Sequence, residues 1–199
     1  KKLVYLISPK KIQSNFYDNL KKVLVNKNVE FFQLRLKKTK KNKVIKIAKK
    51  IIKITKKYKV KFIINDHPDI AKIANADGCH LGQNDMNILK ARKIISKKII
   101  GITCHNSIKL AKATIKNKAD YIAFGAFNSS KTKKVKYKAN LKLINKEKKL
   151  TKIPIVAIGG INDKNYNKLL LNKVNFLAIS GYIFNNIKYK PFEATKKLK

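Results

Sequence analysis

Acidic residues are scarce in this chain, with 10 Asp and Glu among 199 residues, yet Asp66, Asp69, Asp77 and Asp85 fall within 20 consecutive positions. The stretch FIINDH, Phe62 to His67, is an apolar, strand-forming run that stops at Asn65 and Asp66 instead of turning through Gly or Pro. A second acid, Asp85, closes HLGQND. Two carboxylates at the ends of adjacent strands can bind Mg²⁺, a hard cation that takes oxygen ligands, keeps several waters and usually shares its shell with a substrate phosphate. The competing roles are a helix cap before Asn87 for Asp85 and a loop cap for Asp66. Asp69 follows Pro68 and reads as a helix N-terminal residue. Asp77 and Asp120 each sit in an Ala-Asp pair just before a strand, which makes them structural residues at the opposite end of the strands.

Cations and hydroxyls lie in two further stretches. In QLRLK, strand geometry puts Gln33, Arg35 and Lys37 on one face and Leu34 and Leu36 on the other. Two cations and an amide pointing the same way make an anion site, and an inward Arg needs a partner. In SSKTKK, Ser129 to Lys134, hydroxyls, Lys side chains and backbone N–H groups can hold phosphate. Gly159-Gly160 at a strand end permits close backbone approach to a ligand, or simply a tight turn. The pairs Cys79-His80 and Cys104-His105 raise zinc or a Cys-His nucleophile. However, neighbours on a strand face opposite ways, so each pair offers only one inward group, and ordinary core cysteines are the better reading.

The net charge is +39 and the pI about 10.3. Such a value ordinarily points to nucleic acid. Here the charge is almost all Lys spread along the chain, and Arg35 and Arg92 are the only arginines. Arg is the preferred reader of bases and phosphates, so compositional drift is favoured over nucleic-acid binding. The excess charge still attracts anionic ligands. Two cysteines make no disulfide framework. The apolar run Leu3 to Ile7 is too short for a signal-peptide core, and no segment has the length of a membrane span. A soluble cytoplasmic protein is expected.

Positioning these groups requires strands. Apolar runs occur at 3–8, 31–36, 60–66, 78–81, 99–103, 121–125, 153–160 and 176–180. Most are rich in Ile, Val, Phe and Tyr, as buried parallel strands are. Between them lie Lys-rich stretches with helical apolar spacing, such as Val44, Ile45, Ile47, Ala48, Ile51, Ile52 and Ile54. Eight strands alternating with helices in one domain, residues 1–199, predict a single compact (β/α)8 TIM barrel of the α/β class. An open doubly wound sheet is the alternative, but no strand is followed by GxGxxG. In such a barrel the strand C-termini carry the site, and the polar residues named above collect there.

FIINDHPDIA, ADGCHLGQND, GITCH, ADYIAFG, SKTK, IPIVAIGGI and AISG, taken in order, resemble the motifs of the thiamine phosphate synthase family, over roughly residues 3 to 185. The resemblance implies a transferase that couples a hydroxymethylpyrimidine diphosphate to a thiazole phosphate with Mg²⁺. It implies Gln33, Leu34, Arg35, Leu36, Lys37, Asn65, Thr103 and Lys133 at the pyrimidine diphosphate, with Arg35, Thr103 and Lys133 as catalytic groups. It implies Asp66 and Asp85 at the metal, and Ser130, Lys131, Thr132, Gly160, Ile179 and Ser180 at the thiazole phosphate. The sequence departs from the family in carrying Thr103 for a usual Ser, Ser129-Ser130 for Pro-Thr, and no glycines in VKYKANLKL. The expected partners are the two small-molecule substrates, with no membrane, and a homodimer is left open. Two alternatives are a thiazole tautomerase-like relative, which would not need both acids, and a non-catalytic phosphate- or RNA-binding barrel.

Overall fold

Alternating side chains along each apolar run become the two faces of one closed sheet. The computed structural model describes residues 2–129, 135–149 and 151–198. In chain order the elements are β1 Val4–Ile7, α1 Phe16–Leu24, β2 Val29–Leu34, α2 Lys41–Lys57, β3 Lys61–Asn65 and α3 Pro68–Ile73, followed by β4 Gly78–Leu81, α4 Ile88–Ile95, β5 Ile99–His105 and α5 Ile108–Lys116. They continue with β6 Tyr121–Gly125, α6 Leu141–Lys148, β7 Ile155–Ile158, α7 Tyr166–Leu171, β8 Phe176–Ile179, α8 Gly181–Phe184 and α9 Pro191–Lys196. Each strand pairs in parallel with the next, and β8 pairs with β1, so the sheet is a closed eight-stranded (β/α)8 barrel. None of the described helices is long and apolar enough to cross a membrane.

Two apolar layers follow from the period of two. Outward residues such as Val4, Leu6, Phe32, Phe62 and Ile64 pack with the helices. Inward residues such as Tyr5, Phe31, Ile63, Tyr121 and Val156 fill the barrel. The helices bury matching stripes: α2 buries Val44, Ala48, Ile51, Ile52 and Thr55, at helical spacing.

Some boundaries differ from those expected. β2 starts two residues earlier than 31 and stops at Leu34. Its length is set by β1, whose Val4 and Ile7 pair with Val29 and Gln33. Beyond that point the Arg35 amide donates to Ser8 Oγ (2.9 Å) and leaves the ladder. Glu30, which broke the apolar run in the sequence, is held by Lys61 (3.0 Å) and Lys2 (3.5 Å). β5 runs on to His105, with a register shift between Thr103 and His105.

The strand N-termini are joined by a repeated device. Asp77, just before β4, accepts the Phe62 N–H of β3 (2.7 Å). Asp120, before β6, accepts the Ile100 N–H of β5 (2.7 Å), and Asn175, before β8, accepts the Ile155 N–H of β7 (2.9 Å). Asp77 and Asp120 are therefore structural, at the bottom of the barrel. Asp69 lies in the first turn of α3 and pairs with Lys41.

Inside the barrel the Tyr121 ring occupies the space beside β5 that Gly101 leaves by lacking a side chain; a Cβ there would fall on the ring. Gly101→Ala is expected to destabilise the fold by about 1–3 kcal/mol, the usual cost of overpacking a filled core. A urea midpoint equal to wild type would show that the Tyr121 ring moves aside freely.

Candidate active site

At the C-terminal ends of β3 and β4 the backbone presents two acids to each other. Asp66 adopts a left-handed conformation (φ 65°), which turns the chain sharply out of β3. Its N–H donates to the His80 carbonyl (2.8 Å), so β4 holds the turn. The Asp66 carboxylate reaches Lys37 Nζ (3.3 Å) and comes within hydrogen-bonding reach of Asp85. Burial raises the Asp66 pKa above the usual carboxylate value, Asp85's hydrogen bond and charge raise it further, and Lys37 pulls it back.

Asp85 does not cap α4. That role belongs to Asn87, whose Oδ1 accepts the Leu89 N–H (2.8 Å). Asp85 Oδ2 instead accepts the Gly82 N–H (2.7 Å), which aims the carboxylate back toward β3. Among the described residues no cluster of three or more His, Cys, Asp and Glu is placed to hold a metal. The donor set is two carboxylates, one of them raised by its like-charged neighbour. Such a pair suits a cation that takes one or two carboxylates and completes its shell with water and phosphate oxygens.

Gln33 points into the barrel and is 3 % exposed, while Leu34 and Leu36 pack into the outer layer. Arg35 and Lys37 continue the inward side beyond the end of β2, and Arg35 is close enough for its charge to act on His80. Asn65 is buried at the end of β3. Lys37, Asp66 and Asp85 follow β2, β3 and β4, Asn65 ends β3 and Thr103 lies near the end of β5, all at the same end of the barrel, with Gln33 on β2 just below them. Ile179 turns its side chain outward, so only its backbone can face the mouth. Ser180 donates from Oγ to the Ser8 carbonyl (3.1 Å). Gly160 (φ 58°) lies against the Ser129 carbonyl, so the close approach it permits is made by the chain itself. Ser130, Lys131, Thr132 and Lys133 lie outside the described residues.

Cys79 and Cys104 are buried on the outward faces of β4 and β5, away from the mouth. Burial pushes the Cys104 thiol up to about 12 and raises Cys79 as well, so both are inert core thiols.

The sequence reading missed a chain of polar groups beneath the mouth, buried at Gln33, Tyr5 and Tyr121 and half-buried at His80 and Thr103. Gln33 Nε2 donates to Tyr5 Oη (2.9 Å), and Tyr5 Oη bonds Tyr121 Oη (2.7 Å). Tyr121 Oη bonds His80 Nδ1 (2.9 Å), and His80 Nε2 bonds Thr103 Oγ1 (2.8 Å). Burial holds the His80 pKa down to about 4, so its ring is neutral at physiological pH. The available signal was the inward parity of Tyr5, Gln33, His80, Thr103 and Tyr121, each a polar or hydroxyl-bearing residue on the barrel-facing side of its strand.

A family model described as "Thiamine monophosphate synthase" matches residues 4–183. A thiamine-phosphate synthase of Pelagibacter ubique (strain HTCC1062) is 66% identical over 200 residues, covering 100% of this chain and 97% of its own. One of Clostridium acetobutylicum is 36% identical over 190 residues, covering 94% of this chain and 89% of its own. A thiamine phosphate pyrophosphorylase structure from Pyrococcus furiosus superposes with a TM-score of 0.88 at 27% identity, covering 99% of this chain and 93% of that one. Matches of this extent, over a closed barrel whose mouth carries paired carboxylates beside Lys37, make the chain a member of the thiamine monophosphate synthase family.

Proposed function

We propose that this chain is a thiamine phosphate synthase. It joins 4-amino-2-methyl-5-(diphosphooxymethyl)pyrimidine to a thiazole phosphate and releases diphosphate. The observation that carries the reading is the facing pair Asp66 and Asp85 with Lys37 beside Asp66. Mg²⁺, held by Asp66 and Asp85, would supply positive charge to the leaving diphosphate. Arg35, Lys37 and Lys133 add fixed positive charge for the same group, and Gln33, Asn65 and Thr103 orient the pyrimidine diphosphate. The methylene C–O bond breaks, the pyrimidine's amino group stabilises the resulting cation, and the thiazole nitrogen forms the new C–N bond. Ser130, Lys131, Thr132, Gly160, Ser180 and the Ile179 backbone are assigned to the thiazole phosphate. No side-chain nucleophile is required. The protein's contribution is orientation and preorganised charge.

The test is formation of thiamine phosphate from both substrates, with Mg²⁺ and with chelator. Product is expected only when both substrates and Mg²⁺ are present. No product under those conditions overturns the reading, and chelator-resistant turnover removes the metal from it.

A further inference from the structure

We propose that Tyr5, Tyr121 and His80 form a hydrogen-bond relay through the barrel interior that fixes the Thr103 hydroxyl as a donor toward the site. The proposal rests on the synthase reading for what Thr103 donates to: an anionic diphosphate oxygen.

Each member of the relay has limited protons to give. A tyrosine or threonine hydroxyl has one, and a neutral imidazole carries one N–H and one bare nitrogen. With no buried proton left without an acceptor, five groups joined end to end can point their protons in only two ways, all one direction or all the other. The Gln33 end selects between them, because its amide nitrogen donates to Tyr5 Oη. Among the described residues Tyr5 Oη bonds only Gln33 and Tyr121, so its buried proton goes to Tyr121, and the proton of Tyr121 goes in turn to His80 Nδ1. His80 is left with its proton on Nε2, which donates to Thr103 Oγ1. The Thr103 O–H is not consumed within the relay and is free to meet an anion. In the opposite direction Thr103 would donate to His80 and present only lone pairs to the ligand.

The setting keeps the chain in place. Tyr5 and Tyr121 are each 2 % exposed, so water has little access to substitute for a missing link. The His80 and Tyr121 rings lie nearly parallel, 17° apart with centroids at 5.6 Å. Gln83 Nε2 donates to the Thr103 carbonyl, which anchors that residue's backbone as well. A donor fixed before the ligand arrives needs no reorganisation during the reaction. Tyr5, Tyr121 and His80 are thus positioning residues acting through Thr103.

The experiment combines a spectroscopic readout with a double-mutant cycle. Nitrogen-15 histidine spectra of the wild-type protein, with the His80 signals identified by His80→Asn, are expected to show the neutral tautomer protonated on Nε2. A proton on Nδ1 overturns the proposal. Tyr121→Phe and Tyr5→Phe each cut the relay while keeping the ring. Each is expected to weaken binding of inorganic diphosphate with Mg²⁺, and to lower kcat/KM for the pyrimidine diphosphate, by about tenfold, the worth of one hydrogen bond to a charged group. The KM for the thiazole phosphate should not change. In a Thr103→Val background either Phe substitution should have no further effect, whereas an additive loss overturns the relay. Tyr5→Phe decides the matter if Tyr121→Phe does not fold. If the wild-type chain makes no thiamine phosphate, the synthase reading falls, while the tautomer and diphosphate binding still decide the relay.

Discussion

Asp66→Asn lowers turnover by at least ~10²-fold, because positive charge placed by a metal on a leaving group is worth several kcal/mol. The substitution keeps the side chain's shape, and Asn tolerates the left-handed conformation that Asp66 adopts at φ 65°. The fold is therefore retained. Its stability should even rise slightly in the absence of metal. The Asp66 pKa is raised in the folded state, first by burial and then by Asp85. The folded protein thus binds this proton more tightly than the unfolded chain, and the stability it contributes is lost as pH rises through the raised value. An amide has no such loss. Comparing urea midpoints without Mg²⁺ at pH 4, near the ordinary carboxylate value, and at pH 7.5 should show a smaller pH effect in Asp66→Asn than in wild type. Full turnover in the variant would remove Asp66 from the metal site, and an unfolded variant would show that the turn depends on the carboxylate.

Arg35→Ala and Arg92→Ala should fail in opposite ways. Among the described residues Arg35 makes no ion pair, and its charge reaches the mouth of the barrel. Its loss should lower kcat/KM for the pyrimidine diphosphate by ~10²-fold or more, as expected for one preorganised group facing developing charge, with little change in the urea midpoint. Arg92 is on α4, at the other end of the molecule. There it donates to the carbonyls of Ser96 and Lys98 (both 2.6 Å) and of Lys118 (3.2 Å), and pairs with Asp120 (2.8 Å). Arg92→Ala should therefore lower stability by about 0.5–1.5 kcal/mol, the net worth of hydrogen bonds whose acceptors water can reach, while the kinetics of the folded protein remain near wild type. Equal kinetic losses in the two variants would mean that the QLRLK stretch does not face the substrate.

The barrel was legible because its signal is a repeat. Each strand is a short apolar run, each helix a Lys-rich stripe, and an error of two residues at either end of 31–36 does not change the count. Asp66 and Asp85 were legible because carboxylates are so rare in this chain that their placement stood out. The Tyr5–Tyr121 pair was not, since a tyrosine within an apolar run has the same pattern as any core aromatic, and only the closed sheet brings β1 against β6 across the interior. Asn175 was also missed. It performs the task of Asp77 and Asp120, but Asn is too common here to draw notice. The short helices α8 and α9 escaped because their lengths, four and six residues, leave too few turns for a periodic stripe. α9 is held instead by distant groups, with the Asn28 side chain donating to the carbonyls of Thr195 and Leu198 (both 3.0 Å).

The staples formed by Asp77, Asp120 and Asn175 also bear on the order in which the barrel can assemble. Their partners are separated by 15, 20 and 20 residues. The seam between β1 and β8 joins residues as remote as Val4 and Leu177. Loop-closure entropy grows with the logarithm of length, so a roughly tenfold longer loop costs about 2 kcal/mol more to close. Each stapled unit can organise its lower edge from nearby residues, and the seam is the late, entropically expensive step. Lys37, Asp66 and Asp85, which follow β2, β3 and β4, lie within the part of the chain that does not wait for that seam, whereas Ser180, which bonds Ser8 beside β1, does wait for it.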